Sequence, residues 1–425
     1  MEPVPHPPNP PIPVQDDRIW IDGCFDFAHH GHAGAVLQAK QLGKYLVVGV
    51  HSDEEIFENK GPTVMTLKER IAAVQACKWT NLPVPNAPYV TDPAWLDLYG
   101  CRYVVHGDDI TTDATGEDCY RIVRSLGRFK IVKRTPGIST TDLVGRMLLC
   151  TKQHHLPPFS LQTNLLSALP SLNRPTPTAE AVYQLDCVRS YASDEFGVVG
   201  NGSTVFSYDP NFGGSPNGSC LQIVEGKRPR QEQRVVYVDG GFDLFSSGHI
   251  EFLKLVVETE IKDAARRGEY EVVGDAASGG RKPYVVAGVH DDRTINKFKR
   301  LNYPIMNLFE RALCVLQCRY ISSLILSSPF VPSLAFLGTL PTGGVPHAVY
   351  HGPTKFMPSE ADPYQELKEA KNVFGEPLFR EITEHEWSGV NAGEIVSRIV
   401  RQRSLYEERQ RRKEAKVEKE ESMIG

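Results

Sequence analysis

The sequence has no apolar run long enough to cross a bilayer. Its most apolar window, 320–340, is broken by Ser322, Ser323, Ser327, Ser328 and two prolines, whereas a spanning helix needs about 20 mostly apolar residues. A soluble chain without integral membrane contact is therefore expected. Positive charge is not in excess either: 47 Lys+Arg face 52 Asp+Glu, a net charge of -5, which argues against nucleic acid as a main partner. The nine cysteines lack zinc-like spacing, Cys314 and Cys318 being the only close pair, so they read as reduced thiols, mostly in cores, and no metal-ligating set is assigned. The start, MEPVPHPPNPPIPV, has neither the basic nor the apolar region of a signal peptide. Residues 1–17 are expected to be a disordered, polyproline-like tail.

What the sequence does have is IWIDGCFDFAHHGHAG, residues 19–34. An apolar run leads into Asp22-Gly23, a turn-like FDF segment, and then His29-His30-Gly31-His32 at the start of a helix. A strand, a glycine turn and a helix N-terminus together present backbone N–H groups and the positive helix end to an anion. Two imidazoles three residues apart stand beside it, so a nucleotide phosphate is the natural ligand.

A weaker copy, VVYVDGGFDLFSSGHI, recurs at 235–250. For 425 residues the length prior is two or three domains, and the repeat favours two of one design. In the first, residues 34–42 have helical spacing, YLVVGV at 45–50 suits a strand buried on both faces, and 67–77 form a second helix. A strand at 103–106, a helix at 120–126, a strand at 130–133 and a helix at 140–149 capped by Ser139 or Thr140 complete a catalytic domain spanning 18–150. Residues 151–233 show no sustained period and read as a linker. The second domain, 234–401, repeats the strand, the helix at 250–257, a polar insertion at 261–281 and the buried strand YVVAGV. Residues 402–425 read as a charged, solvated tail. The charged run 398–421 lacks an apolar stripe beyond Tyr406.

FDFAHHGH closely resembles the HxGH motif of the cytidylyltransferases, and RTPGISTT at 134–141 looks like their second hallmark, RTxGISTT. Two hallmarks in order, with two tandem repeats, resemble the CTP:phosphoethanolamine cytidylyltransferase family. The resemblance covers both repeats but not the linker or tails. It implies an α/β fold of two tandem Rossmann-like domains with parallel sheets. It implies CTP and phosphoethanolamine as substrates, CDP-ethanolamine and pyrophosphate as products, and a place in phosphatidylethanolamine synthesis. Mg2+ is expected with the triphosphate, although no carboxylate cage for it is evident. A cytoplasmic location, with room for a peripheral position on the endoplasmic reticulum, and a homodimer are compatible with it.

The chemistry needs cations and donors around an in-line displacement at the CTP α-phosphate, not a covalent nucleophile. His29 and His32 can both face the triphosphate. Lys60 matches the family's catalytic lysine, which would bridge the α-phosphate and the incoming phosphate, and Arg134 can fork onto the β- and γ-phosphates. Nucleotide-binding positions implied are Gly23, Cys24, Phe25, Asp26, Gly31, Thr135, Gly137, Ile138, Ser139, Thr140 and Thr141. His30 is read as a structural side chain. Relatives specific for phosphocholine carry Trp and Tyr at positions matching Tyr89 and Thr112, so the aromatic cage for a quaternary ammonium is incomplete here. A primary ammonium instead suits carboxylates, which puts phosphoethanolamine near Asp108, Asp109 and Tyr89. The alternatives are a phosphocholine enzyme and a non-catalytic nucleotide-binding regulator. A tRNA synthetase is disfavoured because no KMSKS-like loop accompanies the HxGH motif.

The second repeat has Ser246 where the first has His29, keeps Gly248 and His249, and shows no RTxGISTT in WSGVNAG at 387–393. Lys60 aligns near Arg300 or Leu301, and the second copy is expected to be catalytically silent.

Overall fold

The computed structural model describes residues 7–109, 111–170, 176–212, 215–267, 282–353, 361–408 and 411. The chain divides into two compact units: Glu2–Thr151 together with Val390–Gly425, and Lys152–Gly389.

The first unit is built on five parallel strands: β1 (Gln15–Gly23), β2 (Tyr45–Val50), β3 (Leu82–Pro85), β4 (Cys101–Gly107) and β5 (Phe129–Val132). Their order is β3-β2-β1-β4-β5, the doubly wound arrangement in which ligands bind beyond the C-terminal strand ends, where the order reverses. The fully apolar β2 lies in register with β1, Ile21 opposite Val48. Trp20, Val47, Val84, Leu96 and Tyr99 fill one face. Gly49 is required in β2, because a Cβ there would come within 2.5 Å of the Trp20 ring. The expected N-terminal tail is shorter than 1–17. Ile12 N–H donates to the Leu98 carbonyl and Gln15 N–H to that of Gly100, each at 3.0 Å, so chain before the expected strand is bonded to the segment that enters β4; residues 1–6 lie outside the described set.

The second unit repeats this plan with β8 (Val235–Gly240), β9 (Tyr284–Val289), β10 (Ser323–Leu326), β11 (Ala348–His351) and β12 (Phe379–Glu381), and adds β6 (Thr204–Asp209) and β7 (Ser219–Val224). The order is β12-β11-β8-β9-β10-β6-β7. The added strands come from the stretch expected to be a linker. The reason is visible at the edge: β3 reads LPVP and its prolines have no N–H to offer another strand, whereas β10 reads SLIL and pairs with β6 in parallel. Within 151–233 there are also helices Ser160–Ser167 and Ala179–Tyr191, which bury Leu161, Leu165, Leu185 and Val188. The insertion expected at 261–281 begins as the end of helix Ser247–Arg266, and 268–281 lie outside the described residues.

The closing segment also departs from expectation. Helix Ala392–Arg401 belongs to the first unit, buries Ile395 and Ile399, and packs on helix Thr140–Leu149. Tyr406, assigned to a solvated tail, is 2% exposed; residues 409–410 and 412–425 lie outside the described set. Among the described residues no helix is long and apolar enough to cross a membrane.

Candidate active site

A cavity of about 450 Å³ opens in the first unit beyond the C-terminal ends of β1 and β4. The chain leaves β1 through a short 3-10 turn, Asp26–Ala28, in which Phe25, Phe27 and Ala28 all have positive φ. Non-glycine residues adopt that conformation at a free-energy cost, and it persists only where surroundings fix it. The fixing group is Asp26. Its carboxylate, 1% exposed, accepts from the N–H of Val64 at 3.0 Å and of Met65 at 2.9 Å. Asp26 thus ties the histidine turn to the loop after Lys60, and it does not line the cavity.

The turn delivers His29 as N-cap of helix His30–Lys40. Its Nδ1 accepts the N–H of Gly31 at 3.1 Å, so in the neutral ring the proton sits on Nε2. The His29 ring stacks on that of His32, centroids 4.0 Å apart. Burial, with the charges of Lys60 and Arg134 adding to it, lowers the His32 pKa to about 3. His32 is therefore a neutral imidazole at pH 7, and its buried Nδ1 has no hydrogen-bond partner among the described residues. Glycine at 31 is a packing requirement: a Cβ there would reach Ile138 Cγ2 at 2.8 Å and the His29 ring at 2.9 Å.

Three further elements close the cavity. Lys60 is the last residue of helix Asp53–Lys60, which Gly61 ends at φ 92°. Arg134 reaches Asp109 with Nη1 at 3.5 Å from Oδ2, both side chains about half exposed; such a pair holds weakly and can be exchanged for a ligand. Ser139 caps helix Thr140–Leu149 by accepting the Asp142 N–H at 3.0 Å. Thr135, Ile138, Ser139, Thr140 and Thr141 line the cavity with Gly23, Cys24, Phe25, His29, Gly31, His32, Lys60, Asp109 and Arg134.

Four expected positions lie off it. Besides Asp26, Gly137 supplies a turn at φ 79°. Asp108 is occupied by the backbone N–H of Arg134 at 3.0 Å. Tyr89 is buried against His51, ring centroids 5.2 Å apart.

Sequence reasoning missed Asp22. This carboxylate lines the cavity, 4% exposed, and accepts from Trp20 Nε1 at 2.8 Å, Thr91 Oγ1 at 2.8 Å and the Tyr120 hydroxyl at 2.7 Å. Nearby His106 also lines the cavity, its pKa lowered by burial against the opposing pull of Asp109 and Asp22. The available signal is the Asp-Gly pair at the same strand end in both repeats, a pair that by itself also reads as a turn.

The second unit is an internal control. Asp243 repeats Asp26, accepting from Ile305 and Met306 at 2.8 and 2.9 Å. Arg311 pairs with Asp292 as Arg70 does with Asp53, and Tyr364 donates to Asp239 as Tyr120 does to Asp22. Lysine is retained too. Helix Asp292–Lys299 ends on Lys299 with Arg300 at positive φ, so Lys299, rather than Arg300 or Leu301, is the counterpart of Lys60. Ser246 replaces His29, and 382–391 contain no arginine.

Comparison with known proteins shows the family. A cytidylyltransferase-like family model matches residues 20–146. The ethanolamine-phosphate cytidylyltransferase of Mus musculus is 38% identical over 403 residues, 94% of this chain and 89% of its own length. That of Dictyostelium discoideum is 38% identical over 404 residues, covering 94% and 95%. Choline-phosphate cytidylyltransferase A of Rattus norvegicus is 41% identical over 133 residues but covers only 31% of this chain and 36% of its own. Likeness to the ethanolamine-phosphate enzymes therefore runs through both repeats, and the chain belongs to the ethanolamine-phosphate cytidylyltransferase family.

Proposed function

We propose that this chain transfers the cytidylyl group of CTP to phosphoethanolamine, forming CDP-ethanolamine and pyrophosphate. The observation that carries the reading is the stacked His29–His32 pair sharing one cavity with Lys60 and Arg134 in the first unit, where the second has Ser246 for His29. A phosphate oxygen of phosphoethanolamine attacks the α-phosphorus in line, and the bond to the bridging oxygen of the leaving pyrophosphate breaks. No protein nucleophile intervenes. The barrier is the negative charge gathering on equatorial and leaving oxygens, and fixed donors lower it without reorganising. His29, with its proton on Nε2, and neutral His32 supply donors. Lys60 bridges the two reacting phosphates, which would otherwise repel each other. Arg134 lets go of Asp109 to fork onto the β- and γ-phosphates, and the hydroxyl row at 139–141 takes the same leaving group at a helix N-terminus.

The ammonium end is assigned to Asp22. An ionised carboxylate has about four acceptor sites; three are filled by neutral donors, which leaves room for one N–H donor from the substrate. Asp109 is a second carboxylate on the cavity wall, whereas Asp108 and Tyr89 are left out because they do not line it. Mg2+ would arrive with CTP as its counter-ion, since no three His, Cys, Asp or Glu side chains among the described residues form a metal site. Two water-soluble substrates suit a cytoplasmic reaction, which fractionation would distinguish from a peripheral membrane location.

Pyrophosphate release from CTP tests the reading, with phosphoethanolamine, phosphocholine and glycerol 3-phosphate compared side by side. Phosphoethanolamine should be preferred, and Asp22→Asn should raise its KM more than that of CTP. A preference for phosphocholine would overturn the substrate assignment. The second repeat is proposed to be silent: His32→Ala should abolish turnover and His249→Ala should not.

A further inference from the structure

The segment that closes the second repeat belongs to the compact unit of the first, and the residues after the first repeat belong to the second unit. Residues following helix Thr140–Leu149 hold the second unit's loop: His154 Nε2 meets the Pro304 carbonyl at 2.8 Å, and Leu156 N–H donates to Asp292 at 2.8 Å. Residues following β12 hold the first unit's loop, and that loop runs from Lys60.

Loop 61–66 is gripped from two sides. Inside, Asp26 takes the N–H groups of Val64 and Met65. On the other side, Arg398 forks onto Glu69, Nη1 to Oε2 at 2.9 Å and Nη2 to Oε1 at 3.0 Å, and reaches the Val64 carbonyl at 3.4 Å. Glu69 is itself the loop's anchor, because its Oε2 accepts from Thr66 N–H at 2.8 Å in the capping box that opens helix Leu67–Ala76. The buried Tyr406 hydroxyl donates to the Thr63 carbonyl at 3.0 Å. A planar bidentate fork fixes orientation as well as distance, so the closing segment fixes the path of the loop at 63–64 and at its exit into the next helix.

We propose that Arg398 and Tyr406 are positioning residues of the active site: by fixing loop 61–66 they hold Lys60 against the reacting phosphates. The inference rests on the catalytic role given to Lys60 above. It makes turnover in the first unit depend on a side chain 329 residues from the glutamate it grips. Stability alone would not require the contacts to fall on the two carbonyls and the cap immediately after the catalytic lysine.

The test is a double-mutant cycle in the full chain, with initial rates on CTP and phosphoethanolamine and thermal unfolding measured for every variant. Arg398→Met should lower kcat about tenfold or more, since displacing a positioned group by a fraction of an ångström is enough for that. The KM for CTP should stay within about twofold, and Arg398→Lys, with one point charge in place of a fork, should restore only part of the rate. Combined with Lys60→Ala, Arg398→Met should change kcat by less than about twofold, because its effect passes through a side chain already removed. Multiplicative effects, or an Arg398→Met enzyme at the wild-type rate, would overturn the proposal. If Arg398→Met does not fold, Tyr406→Phe carries the same cycle. Lys60→Ala at the wild-type rate would overturn the catalytic reading and this proposal together, an outcome distinct from the others.

Discussion

Asp26→Asn separates a residue that touches the nucleotide from one that holds the scaffold. The side chain keeps its shape, but an amide has one acceptor oxygen where the carboxylate has two. Asp26 Oδ1 now takes Met65 N–H at 2.9 Å and Val64 N–H at 3.3 Å, and Oδ2 takes Val64 N–H at 3.0 Å, so an amide that keeps the shared oxygen turns its NH2 toward Val64 N–H, donor against donor, and loses the shorter bond. A hydrogen bond to a charged acceptor contributes about 1.5–3 kcal/mol, and orphaning the buried N–H costs about 1–3 kcal/mol more. The expected loss is about 3–5 kcal/mol. For a unit of this size 1 kcal/mol moves Tm by roughly 2–4 °C, so calorimetry should show a transition lowered by about 10 °C. The side chain does not line the cavity. The variant that remains folded should therefore lose kcat through a loosened loop, with the KM for CTP changed by less than about twofold. Asp243→Asn, the same change in the second unit, should lower its own transition by a similar amount without that effect on kcat. An unshifted Tm with a KM for CTP raised tenfold would refute the reasoning and return Asp26 to the nucleotide.

Two pH effects follow from burial. With its folded pKa near 3 against an unfolded value of about 6.5, His32 binds a proton in the unfolded chain but not in the folded one between those limits. Its contribution to stability is therefore present above pH 6.5 and lost as pH falls toward 3, and His32→Gln should flatten that limb of the stability profile. A triphosphate beside the ring should raise its pKa, so CTP binding should take up more protons at pH 6 than at pH 8, read by titration calorimetry in buffers of different ionisation enthalpy. Asp239 has the opposite sign: burial raises its pKa to about 7, so the folded state binds the extra proton and stability falls as pH rises from about 4 to 7. The fall should be a few kcal/mol. Asp239→Asn, whose oxygen can still accept from Tyr364, should match the wild type near pH 4 and exceed it at pH 8. Parallel pH profiles for the two proteins would show that burial does not control this carboxyl.

Much of this molecule was legible in its sequence because the signals were local. The apolar runs at 45–50 and 284–289 correspond to β2 and β9, and the helix expected at 140–149 is observed with Ser139, one of its two candidate caps, as N-cap. The hidden features depend on partners distant in sequence. β6 reads TVFSYD among turn-forming residues and becomes a strand because β10 offers a free edge. Helix Ala392–Arg401 carries a narrow apolar stripe, Ile395 and Ile399 with Ala392, easily lost among arginines and glutamates. It belongs to the first unit, where it packs on helix Thr140–Leu149 and its Arg398 reaches Glu69 and the loop before it. Asp22 and Asp26 sit four residues apart in one motif, and the sequence does not say which faces the cavity and which faces the loop.

The structure resolves that ambiguity, Asp22 lining the cavity and Asp26 holding the loop; the repeat decides a different one. Both units keep the carboxylate that clamps the loop, the buried arginine–aspartate pair, the capping box and the tyrosine on the strand-end aspartate. A loop lysine and the final histidine of HxGH persist as well, so neither marks the active copy. His249 no longer has a histidine to stack on; its Nδ1 accepts from the Ser246 N–H at 3.2 Å, while in the first unit His29 caps the helix itself and stacks on His32. What the second unit lacks is thus counterparts of the His29 ring, Arg134 and the threonine pair, the groups proposed above to meet a triphosphate and ones that the fold can do without. Retention of every clamp beside loss of these groups is the pattern expected where one copy is kept for structure and the other for chemistry. It locates the chemistry in His29 and the 134–141 segment more sharply than the shared motif could.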